Sequence, residues 1–339
     1  MGSLIAYSGI SAKIRAMERW RISEEQFKQM AALETVPEAV QYLRGFPPYR
    51  EILEGVEDKD LHRGTIEQYL NLSQYRDFAK LYKFAGRKQR NFLNLYFMHY
   101  EIGILKTCLR NAAGHKEQQH DLSMFREFFS RHSKIDLLSL SQCRDMEQFV
   151  LNLKGSPYFE PLEALRQKGG LSLPACENAL DMLYFRNMWK IKDKCLSRDE
   201  SRIIEQCFGT KMDMLNLQWI CRSKKYYRLP PAEIYAMLIP IRLHLSKEEI
   251  RSMAEAETVE QVYSLIKTTW YGRLDTVDPG EGDNPNGLAF HIIDRIYQVT
   301  SRKEPYSIAV LNSCLYFKER EIERIITTIE RIRYGMAVK

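Results

Sequence analysis

Asp213-Met-Leu-Asn-Leu-Gln-Trp-Ile-Cys-Arg222, continued by Thr258-Val-Glu-Gln-Val-Tyr-Ser-Leu-Ile266 and Tyr271, is the clearest copy of a unit that occurs three times in this chain. Its first part is a helical stretch that opens on an acid and closes on an arginine. Its second part is a short helix behind a capping threonine, and it runs out at a tyrosine. The other copies lie at Arg15–Tyr49 and Glu101–Tyr158. A chain made by repeating one unit points to a shaped scaffold rather than an enzyme, because catalysis needs one asymmetric site.

The copies align position by position. Tyr49, Tyr158 and Tyr271 stand 109 and 113 residues apart. Nine positions before each is an apolar residue: Val40, Phe149 and Val262. Five or six before is another: Leu43, Leu153 and Leu265. Further upstream a capping residue has its reciprocal partner three later, as Thr35/Glu38, Asp145/Gln148 and Thr258/Gln261. Such a pair satisfies free amides at a helix start. Ahead of each is an arginine that ends an apolar helical run: Arg15, Arg110 and Arg222. In the second and third copies an acid, Glu101 or Asp213, stands nine before the arginine. Nine residues span about 13.5 Å of helix, so these charges bridge to neighbouring helices rather than to each other. A partial fourth occurrence starts at Glu321, but Glu330 holds its ninth position.

The first copy is expected to have no long helix ahead of it, and the last helix no capped tyrosine unit after it. The simplest arrangement packs the C-terminal helix near the N-terminal segment, residues 8–18, and closes a pseudo-threefold ring. Closure buries faces that an open solenoid must cap. The expected divisions are repeat 1 at 1–97, closed by the C-terminal helix, repeat 2 at 98–208, and repeat 3 with the closing helix at 209–339.

Helical signals dominate elsewhere too. Ser23-Glu-Glu-Gln26, Thr65-Ile-Glu-Gln68 and Ser246-Lys-Glu-Glu249 read as capping boxes. Leu311, Leu315, Ile322, Ile325, Ile326, Ile329 and Ile332 recur at helical steps, opposite Lys318, Arg320, Glu323, Arg324 and Arg331. Helix pairs are expected at Thr65–Phe84 with Lys88–Ala113, Pro174–Cys195 with Arg198–Lys225, and Leu288–Thr300 with Tyr306–Tyr334. Asp278–Gly287 reads as a loop, and Leu229-Pro-Pro231 as a sharp break. The expected fold is all-α.

Composition narrows the function classes. Hydrophobic residues make up 45% of 339, enough for substantial cores. Fifty basic and 44 acidic residues leave +6, which argues against nucleic-acid binding by bulk charge. Seven scattered cysteines without a C-x-x-C pair suit a reducing compartment. The opening Met1-Gly-Ser-Leu-Ile-Ala lacks a basic signal region, and Ala6 fails the myristoylation pattern. No run approaches the ~20 apolar residues that span a bilayer. There is no Walker A pattern; Gly169-Gly170 leads into Leu171-Ser-Leu-Pro. The histidines form no H-E-x-x-H, and His115 and His120, five apart, make a poor metal pair. Cys221 beside Arg222 reads as a buried helical cysteine rather than a reactive one. Arg87-Lys88-Gln-Arg90 and Arg222-Ser-Lys-Lys225 are basic helix ends that suit solvent, acidic partners or phospholipid headgroups. No catalytic, cofactor-binding or metal residue is expected. Nor is a small-molecule substrate.

At Ile14-Arg15, Thr35–Tyr49, Tyr100-Glu101…Arg110, Asp213…Arg222, Glu257–Tyr271 and Phe317…Glu321…Arg333-Tyr-Gly335, the chain resembles the family of C subunits, also called d subunits, of V-type and A-type rotary ATPases. The resemblance covers essentially the whole chain. It departs in detail: Ile104 stands where the third copy has Asn216, and Leu274 comes one place early relative to Leu53 and Leu162. The resemblance implies a funnel of three similar helical domains around a central cavity, on the cytoplasmic face of the membrane proteolipid ring. It implies that the cavity receives the shaft of D and F subunits, and that the chain couples torque without handling ATP. The alternative from the residues alone is a freestanding α-helical repeat scaffold that binds peptides or helical partners.

Overall fold

The computed structural model describes residues 2–57, 59, 61–114, 122–274 and 285–335. Among these residues the chain is all-α and forms no strand. In order the helices are α1 (Gly2–Glu18), α2 (Glu24–Ala31), α3 (Val36–Arg44), α4 (Pro47–Leu53), α5 (Arg63–Phe84), α6 (Arg87–Ala112), α7 (Arg126–His132), α8 (Leu137–Ser141) and α9 (Met146–Asn152). They continue as α10 (Phe159–Gln167), α11 (Leu173–Lys194), α12 (Arg198–Arg222), α13 (Pro231–Met237), α14 (Lys247–Glu255), α15 (Val259–Thr268), α16 (Pro285–Lys303) and α17 (Ile308–Arg333).

The long expected helices correspond to α5, α6, α11, α12, α16 and α17. The boxes at Ser23 and Ser246 form in full. Thr65 is a correction. α5 begins two residues earlier, behind His62, with no side-chain cap bond. Arg63 meets Glu67 at 2.8 Å across that first turn. A second correction falls at the end of α12, where the α-helix widens at Ser223 into a π-turn, Ser223–Tyr227. Pro230 disfavours helical backbone at Leu229. The chain closes instead through Arg228 in the left-handed region, with the Leu229 N–H donating to the Ser223 carbonyl at 3.2 Å. Gly287, expected in a loop, lies inside α16, whose first residue is proline, a residue suited to that position. Positions 278–284 of that expected loop lie outside the described residues, as do His115 and His120.

The chain forms two compact units, Met1–Cys176 with Val310–Lys339, and Glu177–Ala309. In the first unit, Ile322, Ile325 and Ile329 of α17 enter one core with Phe27, Val40, Leu43, Tyr49 and Leu70. That core joins the last helix to α2–α5. Beside it an aromatic cluster binds α5, α6 and α7. Tyr75 stacks on Phe128 at 4.8 Å, Phe78 meets Tyr100 edge-on at 5.6 Å, and Phe97 meets Phe129 at 5.4 Å. In the second unit α12 packs along α16. The buried stripe of α12 includes Ile204, Phe208 and Leu217, and that of α16 includes Leu288, Ile292 and Tyr297.

Candidate functional site

Burying a phenol in a helical core costs free energy unless its hydroxyl keeps a partner. Tyr49, Tyr158 and Tyr271 are all 0% exposed, and each solves this problem with a carboxylate on a long helix. The Tyr158 hydroxyl donates to Glu101 Oε2 of α6 at 2.5 Å. The Tyr271 hydroxyl donates to Asp213 Oδ2 of α12 at 2.8 Å. The Tyr49 hydroxyl donates to Glu321 Oε1 of α17. Burial, and then the facing carboxylate, push all three phenols upward. Each tyrosine therefore keeps its proton and acts as a donor in a charge-assisted bond. Burial also raises the Glu101 and Asp213 carboxyls, against the opposing pull of the bonds they accept.

Each acid has a second duty, just ahead of a capped short helix. Glu321 Oε2 accepts from the Ile22 N–H at 2.9 Å, one residue before the Ser23 cap of α2. Asp213 accepts from the N–H groups of Leu243, His244 and Leu245 at 2.8–3.3 Å, directly before the Ser246 cap of α14. Glu101 takes a bond from Ser133, three residues before Asp136, the cap of α8. From that first helix the chain passes to a second capped one, α3, α9 or α15, whose caps are Thr35, Asp145 and Thr258. It then reaches the tyrosine that returns to the acid. Thr35 and Glu38 form a reciprocal box. Gln148 and Gln261 reach back one residue further, to the N–H groups of Arg144 and Glu257.

Two glycines make the third arrangement possible. A Cβ on Gly209 of α12 would lie 2.8 Å from Leu243 Cβ, so the 243–245 strap reaches Asp213 only because that Cβ is missing. A Cβ on Gly272 would meet the Ile266 carbonyl oxygen at 2.3 Å, so the turn after Tyr271 needs glycine against α15. Asn216, one turn after Asp213, fixes the other end of the strap. It accepts from the Ile239 N–H at 2.8 Å and donates to the Ile239 carbonyl at 3.0 Å.

The Tyr49 arrangement carries an extra charge. Lys318 Nζ lies 3.0 Å from the Tyr49 hydroxyl, 4.3 Å from the Tyr49 ring centre, and 3.5 Å from both Glu321 and Asp77. The ammonium is buried between two carboxylates, so its desolvation is offset by pairing. A cavity of about 30 Å³ adjoins it, lined by Met17, Glu18, Arg21, Asp77, Cys314 and Lys318 among others. Helix α17 also pairs with α2 through Arg324 and Glu24, the Arg324 Nη2 lying 2.6 Å from Glu24 Oε2.

Six of the nine expected residues thus meet as three pairs. Arg15, Arg110 and Arg222 sit at exposed positions on α1, α6 and α12. Both members of each pair stand out in the sequence, but their pairing does not. The available signal was the separation, 57 residues for Glu101 and Tyr158 against 58 for Asp213 and Tyr271. Burial lifts the Cys221 thiol to about 12, so it is unreactive. Among the described residues no cluster of histidine, cysteine and carboxylate fits a metal ion, and no helix is long and apolar enough to cross a membrane.

Three like arrangements each tie a long helix to a buried tyrosine. The sequence profile of the ATP synthase (C/AC39) subunit family matches residues 10–339. The chain belongs to this family. The C subunit of the A-type ATP synthase of Thermococcus kodakarensis is 22% identical over 97% of the chain and 87% of its own length. Its counterpart from Pyrococcus horikoshii is 24% identical over 94% of the chain and 84% of its own length. The one from Methanosphaera stadtmanae is 23% identical over 98% and 85%. The family read from the residues is the one the profile matches.

Proposed function

We propose that this member of the ATP synthase (C/AC39) subunit family is a non-catalytic central-stalk adaptor. It joins a shaft of D and F subunits to the membrane proteolipid ring, on the cytoplasmic face, and passes torque between them. Its three repeats, 1–97, 98–208 and 209–339, form a funnel whose cavity takes the shaft tip. One observation carries this reading. The acid that the first repeat lacks is supplied by Glu321, 272 residues after Tyr49. A torque-bearing body needs its first element held by its last, and stiff helices joined by buried charge-assisted bonds resist shear better than surface contacts do.

The test is a binding assay with three components. Purified chain is mixed with detergent-held ring and with a D–F shaft, singly and together. The adaptor reading expects capture by each and a ternary complex with both. Capture by neither at low salt overturns it and leaves a freestanding scaffold as the better account.

A further inference from the structure

We propose that the tip of α12, Arg222–Arg228, docks on an anionic phospholipid headgroup layer. The stretch Arg222-Ser-Lys-Lys-Tyr-Tyr-Arg228 holds four cations and two tyrosines, and no acid occurs between Asp213 and Glu233. A helix C-terminus gains from cations in its last turn. That explains Arg222 and the neighbouring lysines in part, but not Tyr226, Tyr227 and Arg228. Arg228 has φ +50, in a region that strains any residue with a Cβ and that glycine enters freely. The bond that closes the turn is Leu229 N–H to Ser223 carbonyl, all backbone, and glycine at 228 would close it as well. The arginine side chain is retained against a backbone cost, and such strain gathers where a side chain is used.

The tyrosines make the same point. Tyr226 and Tyr227 are 67% and 70% exposed, so neither serves the core of its own unit. Lys225 Nζ lies 5.5 Å from the Tyr226 ring centre, which puts charge and ring in one patch. The occupant must be anionic and must reward an amphipathic ring. A headgroup layer needs no matched shape. Its anionic phosphates attract each cation separately, and tyrosine rings favour the boundary between water and lipid.

This inference concerns the isolated chain and stands whether or not the chain joins a shaft to a ring. The experiment is flotation of the full chain with phosphatidylcholine vesicles, with and without phosphatidylglycerol. The wild-type chain is expected to float only with the anionic vesicles. Two basic residues near an anionic surface together contribute about thirty-fold in partitioning, so Lys224→Gln with Lys225→Gln should weaken binding by that order. Tyr226→Ser with Tyr227→Ser should weaken it further at high salt, where charge is screened. Arg228→Gly should weaken it while leaving the melting temperature unchanged or higher, a combination that separates use of the side chain from stability. Arg87→Gln with Lys88→Gln, on a basic helix start of the other unit, should change nothing. Equal loss from that control pair would mean bulk charge and overturn the proposal. So would flotation with phosphatidylcholine alone, or no flotation. Full displacement by soluble polyglutamate with no effect of the tyrosine changes would overturn it in favour of an acidic protein partner.

Discussion

A hydroxyl facing a carboxylate inside a core is a small feature with a large lever, because both groups have given up water. Losing a hydrogen bond to a charged group costs about 1.5–3 kcal/mol. Tyr49→Phe, Tyr158→Phe and Tyr271→Phe should each destabilise the chain by about that amount in urea titrations. Asp213→Ala should cost more than Tyr271→Phe, because it strands the N–H groups of Leu243, His244 and Leu245 as well as the phenol. Equal losses in the two variants would mean that the strap does not depend on Asp213. The pH dependence has a definite sign. Burial raises the Asp213 carboxyl in the folded state, so the folded chain binds this proton more tightly than the unfolded one. The contribution is unfavourable at neutral pH, and it improves as pH falls towards the ordinary carboxylate value of about 4. Asp213→Asn cannot titrate. Its stability deficit against wild type should therefore widen between neutral pH and about pH 5, measured from urea midpoints.

At the scale of elements, Gly209 gives the sharpest test of how the strap sits on α12. Glycine inside a helix normally costs about 0.5–1 kcal/mol relative to alanine, so propensity alone expects Gly209→Ala to stabilise. Contact with Leu243 Cβ predicts the reverse, a loss of about 1–3 kcal/mol from overpacking. The stack of His244 on Trp270, at 3.8 Å between ring centres, should loosen at the same time and shift the tryptophan emission. Unchanged emission together with a gain in stability would show that the strap has room to move. This scale also shows what the sequence could reveal. Caps and apolar spacing placed helices because those signals are local: Ser23 meets Gln26 and Ser246 meets Glu249 within one turn, at the starts of the short α2 and α14. Thr65 misled because its capping pattern lies inside α5, which starts two residues earlier behind His62 without a side-chain cap bond. The π-turn after Arg222 stayed hidden because its closing bond spans Ser223 to Leu229 through a non-glycine left-handed residue. The pairing of tyrosine with acid was present only as a repeated separation, and for Tyr49 the acid lies at the other end of the chain.

At the scale of the molecule, the decisive dependence is that of α2–α5 on a helix made last. Ile322, Ile325 and Ile329 are 3%, 0% and 1% exposed. Burying three such side chains contributes roughly 5–9 kcal/mol, against a total stability of about 5–15 kcal/mol for a typical domain. The Tyr49–Glu321–Lys318 network and the Ile22 bond add to that, so the early helices should not hold together without α17. Truncation after Phe317 is expected to abolish hydrogen-exchange protection through α2–α5 while the α12–α16 pairing, which lies in the other unit, stays protected. A synthetic peptide of residues 308–335 added in excess should restore protection to α2–α5, and the same peptide carrying Glu321→Ala should restore less. Persistent protection of α2–α5 in the truncated chain would mean that the N-terminal helices form their own core, and the closing role of the last helix would fall with it.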